Sequence, residues 1–102
     1  MNDLERRFHR AMIDIYEKAK RETGYNATRF LQMVSEIGGV VAARRLLAAP
    51  VVSDGFTALW ERGRLDLTVE TLVLSEEYRE LFSEDEREGA AARLAAYRRS
   101  TD

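Results

Sequence analysis

The residues in this chain that could do chemistry are few, and their spacing argues against most reactions. His9 is the single imidazole. Any Ser-His-Asp arrangement would have to be built on it. It stands between Phe8 and Met12 beside an apolar stripe, so it reads as a flanking helix residue. Cysteine is absent, which removes disulfides, thiolate nucleophiles and thiolate metal sites. One histidine cannot supply a His-rich zinc site. No HExxH, phosphate-loop or GxGxxG pattern occurs, and no calcium loop. The residues therefore imply no catalytic set, no metal and no cofactor.

Carboxylates are plentiful in one run: Glu76, Glu77, Glu80, Glu84, Asp85, Glu86 and Glu88. An acid/base pair needs burial or a nearby charge to move its pKa. Here the spacing follows helix caps and solvent faces. A small carboxylate-dependent enzyme, with Tyr25 and Tyr97 as the other polar candidates, stays as an alternative that would need a pocket lined by several polar groups.

The arginines Arg29, Arg44, Arg45, Arg62 and Arg64 could contact phosphates. The Gly38-Gly39 break between two helices weakly resembles the turn of a helix-turn-helix. Yet the helix after it would open Val40-Val41-Ala42-Ala43, which offers almost nothing to read base edges. The sequence pI of about 5.5 is also low for a nucleic-acid binder. A nucleic-acid-contacting subunit with an arginine surface is the second alternative.

The densest punctuation lies from Ser53 to Leu67. It holds the only tryptophan, Trp60, with Gly55, Gly63, Phe56, Leu59, Arg62 and Arg64, just after the only proline, Pro50. Phe56, Leu59 and Trp60 suit a core. Equally, Phe56 and Trp60 with Arg62 and Arg64 suit an interface anchor, because Trp and Arg are over-represented at hot spots.

The elements that must position these residues are helical. Leu4, Phe8, Met12, Ile15 and Ala19 form one stripe, predicting a helix over residues 3–22 that stops at Gly24. Asp14–Lys18 and Glu17–Arg21 are spaced as ion pairs on it. Asn26 is a suitable N-cap for a second helix carrying Phe30, Met33, Val34 and Ile37. Val40 to Ala49 reads as a third helix, ended by Pro50. Ser53 or Asp54 can cap a fourth, with Gly63 after its last turn. Residues 65–74 carry both strand and helix signals. No second strand candidate exists to pair with them, so they read as helix, with Thr68 as a cap. A short helix runs from Ser75 to Phe82. Ser83 with Glu86 makes a capping box for the last helix, whose inward residues are Ala90, Leu94 and Tyr97. The expectation is one compact all-α domain over residues 1–102, a bundle of six or seven helices with a long N-terminal one.

Charge is split along the chain. Residues 1–65 hold eleven Lys/Arg against eight Asp/Glu, while residues 66–102 hold five against ten. Such a split can steer a partner or bias self-association. If the fold cannot cover Met12, Ile13, Ile15 and Tyr16 together, the remainder would be a dimer face. No apolar run is long enough for a membrane span and no export signal opens the chain, so the expected location is cytoplasmic.

Taken together, Gly24-Tyr25-Asn26-Ala27-Thr28-Arg29-Phe30-Leu31-Gln32-Met33, Ala43-Arg44-Arg45-Leu46-Leu47, Asp54-Gly55-Phe56 with Leu59-Trp60-Glu61, and Arg64-Leu65-Asp66-Leu67-Thr68-Val69-Glu70 resemble a recurrent family of small bacterial helical proteins of uncharacterised activity. The pattern is also similar to segments appended to nuclease or defence-associated proteins. The resemblance covers most of residues 8–97. It implies a helical module used alone or as an appendage, and it carries over no catalytic residue. The leading expectation is a non-enzymatic protein-interaction module, an accessory or regulatory subunit with a protein partner or a second copy of itself.

Overall fold

Helix α1 (Asp3–Thr23) is the longest element and the wall against which most others pack. A computed structural model describes residues 2–99 of the chain. α1 opens with a capping box absent from the sequence-based expectations. The Glu5 amide donates to Asn2 Oδ1 at 2.8 Å, and the Asn2 amide donates to Glu5 Oε1 at 3.3 Å. It stops at Gly24, whose φ of +77° only glycine adopts without strain. The two expected ion pairs do not form among the described residues. Asp14 instead accepts from Arg10 at 3.1 Å, and Arg21 turns to Glu22 at 3.7 Å. Exposed pairs of this kind differ by only a few tenths of a kcal/mol, roughly 0.2–0.5 each, so spacing alone does not select among them.

Helices α2 (Thr28–Ile37) and α3 (Gly39–Ala48) form an abrupt corner at Gly38. Asn26 does not cap α2. Ala27 holds that position with no side-chain bond, and Asn26 Oδ1 accepts from the Tyr16 hydroxyl at 2.6 Å. A tertiary phenol donor has outcompeted the local amide. At the corner the Gly39 amide donates to His9 Nδ1 at 3.0 Å. A Cβ on Gly39 would lie 2.7 Å from His9 Cα. His9 is thus a clamp between α1 and α3 where the two backbones come close.

The rest follows the expected order with one subdivision. α4 (Asp54–Glu61) is capped by Ser53 Oγ, which accepts from the Phe56 amide at 3.1 Å. Residues 65–74 are helical in two pieces. A 3₁₀ turn at Leu65–Leu67 leads to Thr68, which caps α5 (Val69–Val73) by accepting from the Thr71 amide at 3.3 Å. A second 3₁₀ segment, Glu76–Leu81, precedes α6 (Glu84–Arg99). The Ser83 box is made on both sides: Glu86 N to Ser83 Oγ at 3.1 Å and Ser83 N to Glu86 Oε1 at 2.8 Å. The chain is an all-α bundle, with no strand among the described residues. Its radius of gyration is 12.7 Å, close to the roughly 13 Å of a single compact domain of 100 residues.

The main core gathers Phe8, Met12, Val34, Val40, Ala43, Val73, Tyr78, Phe82 and Ala90. Phe8 is its hub, meeting Tyr78 and Phe82 edge-on at 5.1 Å each. Along α1, Met12 is fully buried, while Ile13 and Ile15 are half-buried and pack against this core. Among the described residues the large apolar side chains left exposed are Val41 and Val51. They lie on the outside of α3 and after Pro50.

Tyr78 carries a pH signature. Burial, with Glu77 adding to it, raises its phenol above the ordinary value of 10.0. Folding therefore favours the neutral phenol. That contribution is complete below the unfolded pKa of about 10 and is lost as pH rises through the higher folded value. Urea titrations between about pH 8 and 11 should show Tyr78→Phe losing less stability over that interval than the wild type. Equal losses would remove Tyr78 from the account.

Candidate functional site

A smaller apolar cluster of Ala19, Leu59 and Leu67, with Tyr25 against it, stands apart from the main core. The seam between the two is a half-open cleft of about 620 Å³. One wall is the C-terminal half of α1, with Ile15, Tyr16 and Ala19. The loop after Gly24 and the first turns of α2 supply Tyr25 to Phe30 and Met33. The first turn of α4 supplies Ser53 to Phe56, and Leu59 follows. Leu46, Leu67 and the start of α5, Thr68 to Glu70, complete it. The helical spacing that builds the two clusters also builds this cleft, because α1 is too long for one cluster to cover.

Most polar groups in the wall already have partners. Tyr16 and Asn26 bond to each other. Thr68 Oγ1 donates to Leu65 O at 2.7 Å and lies 3.1 Å from Thr71 Oγ1. Ser53 caps α4. Glu70 is 4% exposed, and its Oε2 accepts from Arg93 Nη1 at 3.3 Å. Arg93 is the more extensive anchor. It also donates to Leu46 O at 3.1 Å, Leu47 O at 3.3 Å and Ala49 O. One guanidinium from α6 thus satisfies the open carbonyl end of α3 and neutralises the one buried carboxylate of α5. Four side-chain polar groups in the cleft wall have no partner among the described residues: the Arg29 guanidinium, the Asp54 carboxylate and the Tyr25 and Thr28 hydroxyls.

The Trp60 segment is turned inward. Phe56 is 2% exposed and meets Tyr97 edge-on at 4.8 Å. Trp60 is half-buried; its indole N–H donates to Tyr97 O at 3.1 Å and its ring abuts Tyr97 at 5.4 Å. Arg62 donates to Ala58 O at 2.9 Å and lies 5.3 Å over the Tyr25 ring. Arg64 holds Asp66 at 3.0 and 3.1 Å and Glu22 at 2.9 Å. Its bonds to Asp66 and then Glu22 keep Arg64 above the ordinary guanidinium range, and the same bond pulls the Asp66 carboxyl below its usual value.

The five arginines do not gather around one acceptor. Arg44 donates to Leu81 O at 2.7 Å, pairs with Glu86 at 3.4 Å and lies over Phe82. Arg62 and Arg64 are engaged as above. Arg45 is exposed on α3, and Arg29 belongs to the cleft. Tyr25 and Tyr97 also separate, the first lining the cleft and the second backing Trp60. The acidic run is exposed apart from half-buried Glu86. Within it, the Arg79 bond at 2.7 Å draws the Glu76 carboxyl below its usual range. Among the described residues no group of three or more His, Asp or Glu could hold a metal ion. Among them also, no helix is long and apolar enough to cross a membrane.

The Glu70–Arg93 pair and the cleft are absent from the sequence-based expectations. Arg93 had a signal: it lies three residues after Ala90 and four before Tyr97, on the inward stripe of α6. The cleft had none, since it depends on how far apart the two clusters settle. Set against protein-family models, curated proteins and solved structures, the chain matches none.

Proposed function

We propose that the chain is a non-enzymatic binding module whose receptor surface is the cleft between α1, α2 and α4. The observation that carries this reading is the cleft itself. It is about 620 Å³, largely apolar in its walls, with four polar side chains that have no partner among the described residues. Clefts of roughly 300–1,000 Å³ with apolar walls and few polar groups are the usual form of a ligand site. A catalytic reading needs a base and a nucleophile within bonding reach of each other. In the cleft wall the Thr68 hydroxyl, beside that of Thr71, is bonded to a backbone carbonyl rather than to a base. The interaction reading rests on the cleft rather than on Trp60, whose indole N–H and neighbouring arginines already have intramolecular partners.

The test is occupancy. Nile red, a neutral dye that brightens in apolar surroundings, should bind the wild type with a blue-shifted emission. Gly55→Leu should block it. A Cβ there lies 3.8 Å from the Tyr25 hydroxyl, and the longer side chain would fill the cleft without a backbone clash. Ala27→Phe, from the opposite wall, should do the same. Circular dichroism must show both variants folded. Undiminished dye binding in both would remove the cleft as the receptor surface.

A further inference from the structure

One acceptor in the cleft wall is buried yet left open. Glu70 is 4% exposed and lines the cleft from the start of α5. Its Oε2 accepts from Arg93 Nη1 at 3.3 Å. Its Oε1 accepts no hydrogen bond among the described residues. Nor is that oxygen sealed. Among the described residues, the side-chain atom both unbonded and shut off from solvent is Arg87 Nη1. What little exposure Glu70 keeps is therefore shared by Oε1. A carboxylate oxygen in apolar surroundings demands a donor, which water or a ligand must bring. The other charges call for no counter-charge. Arg93 answers the charge of Glu70. Arg29 and Asp54 are both exposed and of opposite sign, so they offset each other. The Tyr25 and Thr28 hydroxyls can turn to donate or accept, so they favour no particular head group.

Resting on the binding reading above, we infer that the cleft takes a neutral amphiphile: a hydrocarbon or aromatic body that presents one hydroxyl-type donor to Glu70 Oε1. The body lies against Phe30, Met33, Leu59 and Leu67. The ligand hydroxyl takes the place of water at this oxygen, so the hydrogen bond is exchanged rather than lost. A ligand of the same shape without a donor expels the water and strands a buried carboxylate oxygen. An anionic head meets only lone pairs there. An ammonium head would donate, but it gives up its hydration to reach a carboxylate whose charge Arg93 has already met.

The test is calorimetric titration of the full chain with two isomers of one size, octan-1-ol and 1-methoxyheptane, and with octanoate and octylammonium. Octan-1-ol should bind about tenfold tighter than the ether, or more, because only the alcohol can donate to the charged oxygen. Both ions should bind more weakly than octan-1-ol. Glu70→Gln keeps a carbonyl oxygen for Arg93 and turns an amide N–H to the open side, so a donor replaces the acceptor. In that variant the alcohol should lose its advantage, and retained binding of the ether reports that the cleft is folded and open. Should the variant not fold, the wild-type ratio decides alone. Equal affinity of the isomers for the wild type, or the same ratio in folded Glu70→Gln, overturns the donor head. An ion binding tighter than octan-1-ol overturns its neutrality. Nile red carries no N–H or O–H and reports the walls alone. If it binds and Gly55→Leu blocks it while the two isomers bind alike, the ligand class alone has failed. If neither dye nor any alkyl ligand binds, the binding reading has failed with it.

Discussion

Arg93→Met is expected to lower the unfolding free energy by about 3–5 kcal/mol, the usual loss when one partner of a buried ion pair is removed. The side chains of Arg93 and Glu70 are 18% and 5% exposed, so water cannot stand in for the lost guanidinium. The methionine leaves Glu70 buried without its counter-charge. It also leaves the carbonyls of Leu46, Leu47 and Ala49 without their donor, each worth roughly 1 kcal/mol or more when stranded. A domain of this size has about 5–15 kcal/mol in total, so roughly a fifth or more of the stability is at stake. Glu70→Gln alone should cost less, because the carbonyls keep their partner. The double variant should be milder than the sum, since its second change removes a charge already stranded. Urea unfolding followed by circular dichroism measures all three. A loss under about 1 kcal/mol for Arg93→Met would mean the pair is solvated after all.

The second large effect is expected at the α1–α3 contact. Gly39→Ala places a methyl 2.7 Å from His9 Cα, a backbone atom that cannot rotate away. The helices must separate, which breaks the Gly39 amide bond to His9 Nδ1 and loosens Phe8 and Met12 on the same turns of α1. Overpacking of this kind costs about 1–3 kcal/mol, and the lost hydrogen bond adds roughly 1 kcal/mol. Gly89→Ala is the internal control. It sits in exposed α6 with nothing within 4 Å of the added carbon, and it should gain about 0.4–1 kcal/mol. Thermal melts of the two variants should therefore move in opposite directions. Two shifts of the same sign would contradict the close approach at His9.

The contrast between these glycines bears on what sequence can reveal. Helix ends decided within four residues were legible: Gly24, Ser53, Gly63, Thr68 and the Ser83–Glu86 box all stand where their chemistry required. Residues 65–74 were legible as helix only by elimination, since a lone strand has nowhere to send its backbone bonds. Asn26 misled, because Tyr16, ten residues away, offered a stronger donor than the local amide. The candidate site was the least legible part. Its walls come from apolar residues that read equally well as core. Its charges are recognisable only once Glu70 is seen paired and Arg29 unpaired. Trp60 drew attention by rarity, and its Nε1–H bond reaches a carbonyl 37 residues away, a partner that no local spacing announces.

The Arg93 clasp also bears on time. Its carbonyl partners lie 44 to 47 residues back along the chain. Contacts of such separation close late in folding, after the local helices have formed. Interactions absent from the transition state act on the rate of unfolding and leave the rate of folding nearly alone. The clasp therefore sets how long a folded molecule lasts between openings, and with it the lifetime of the cleft that α3 and α5 help to wall.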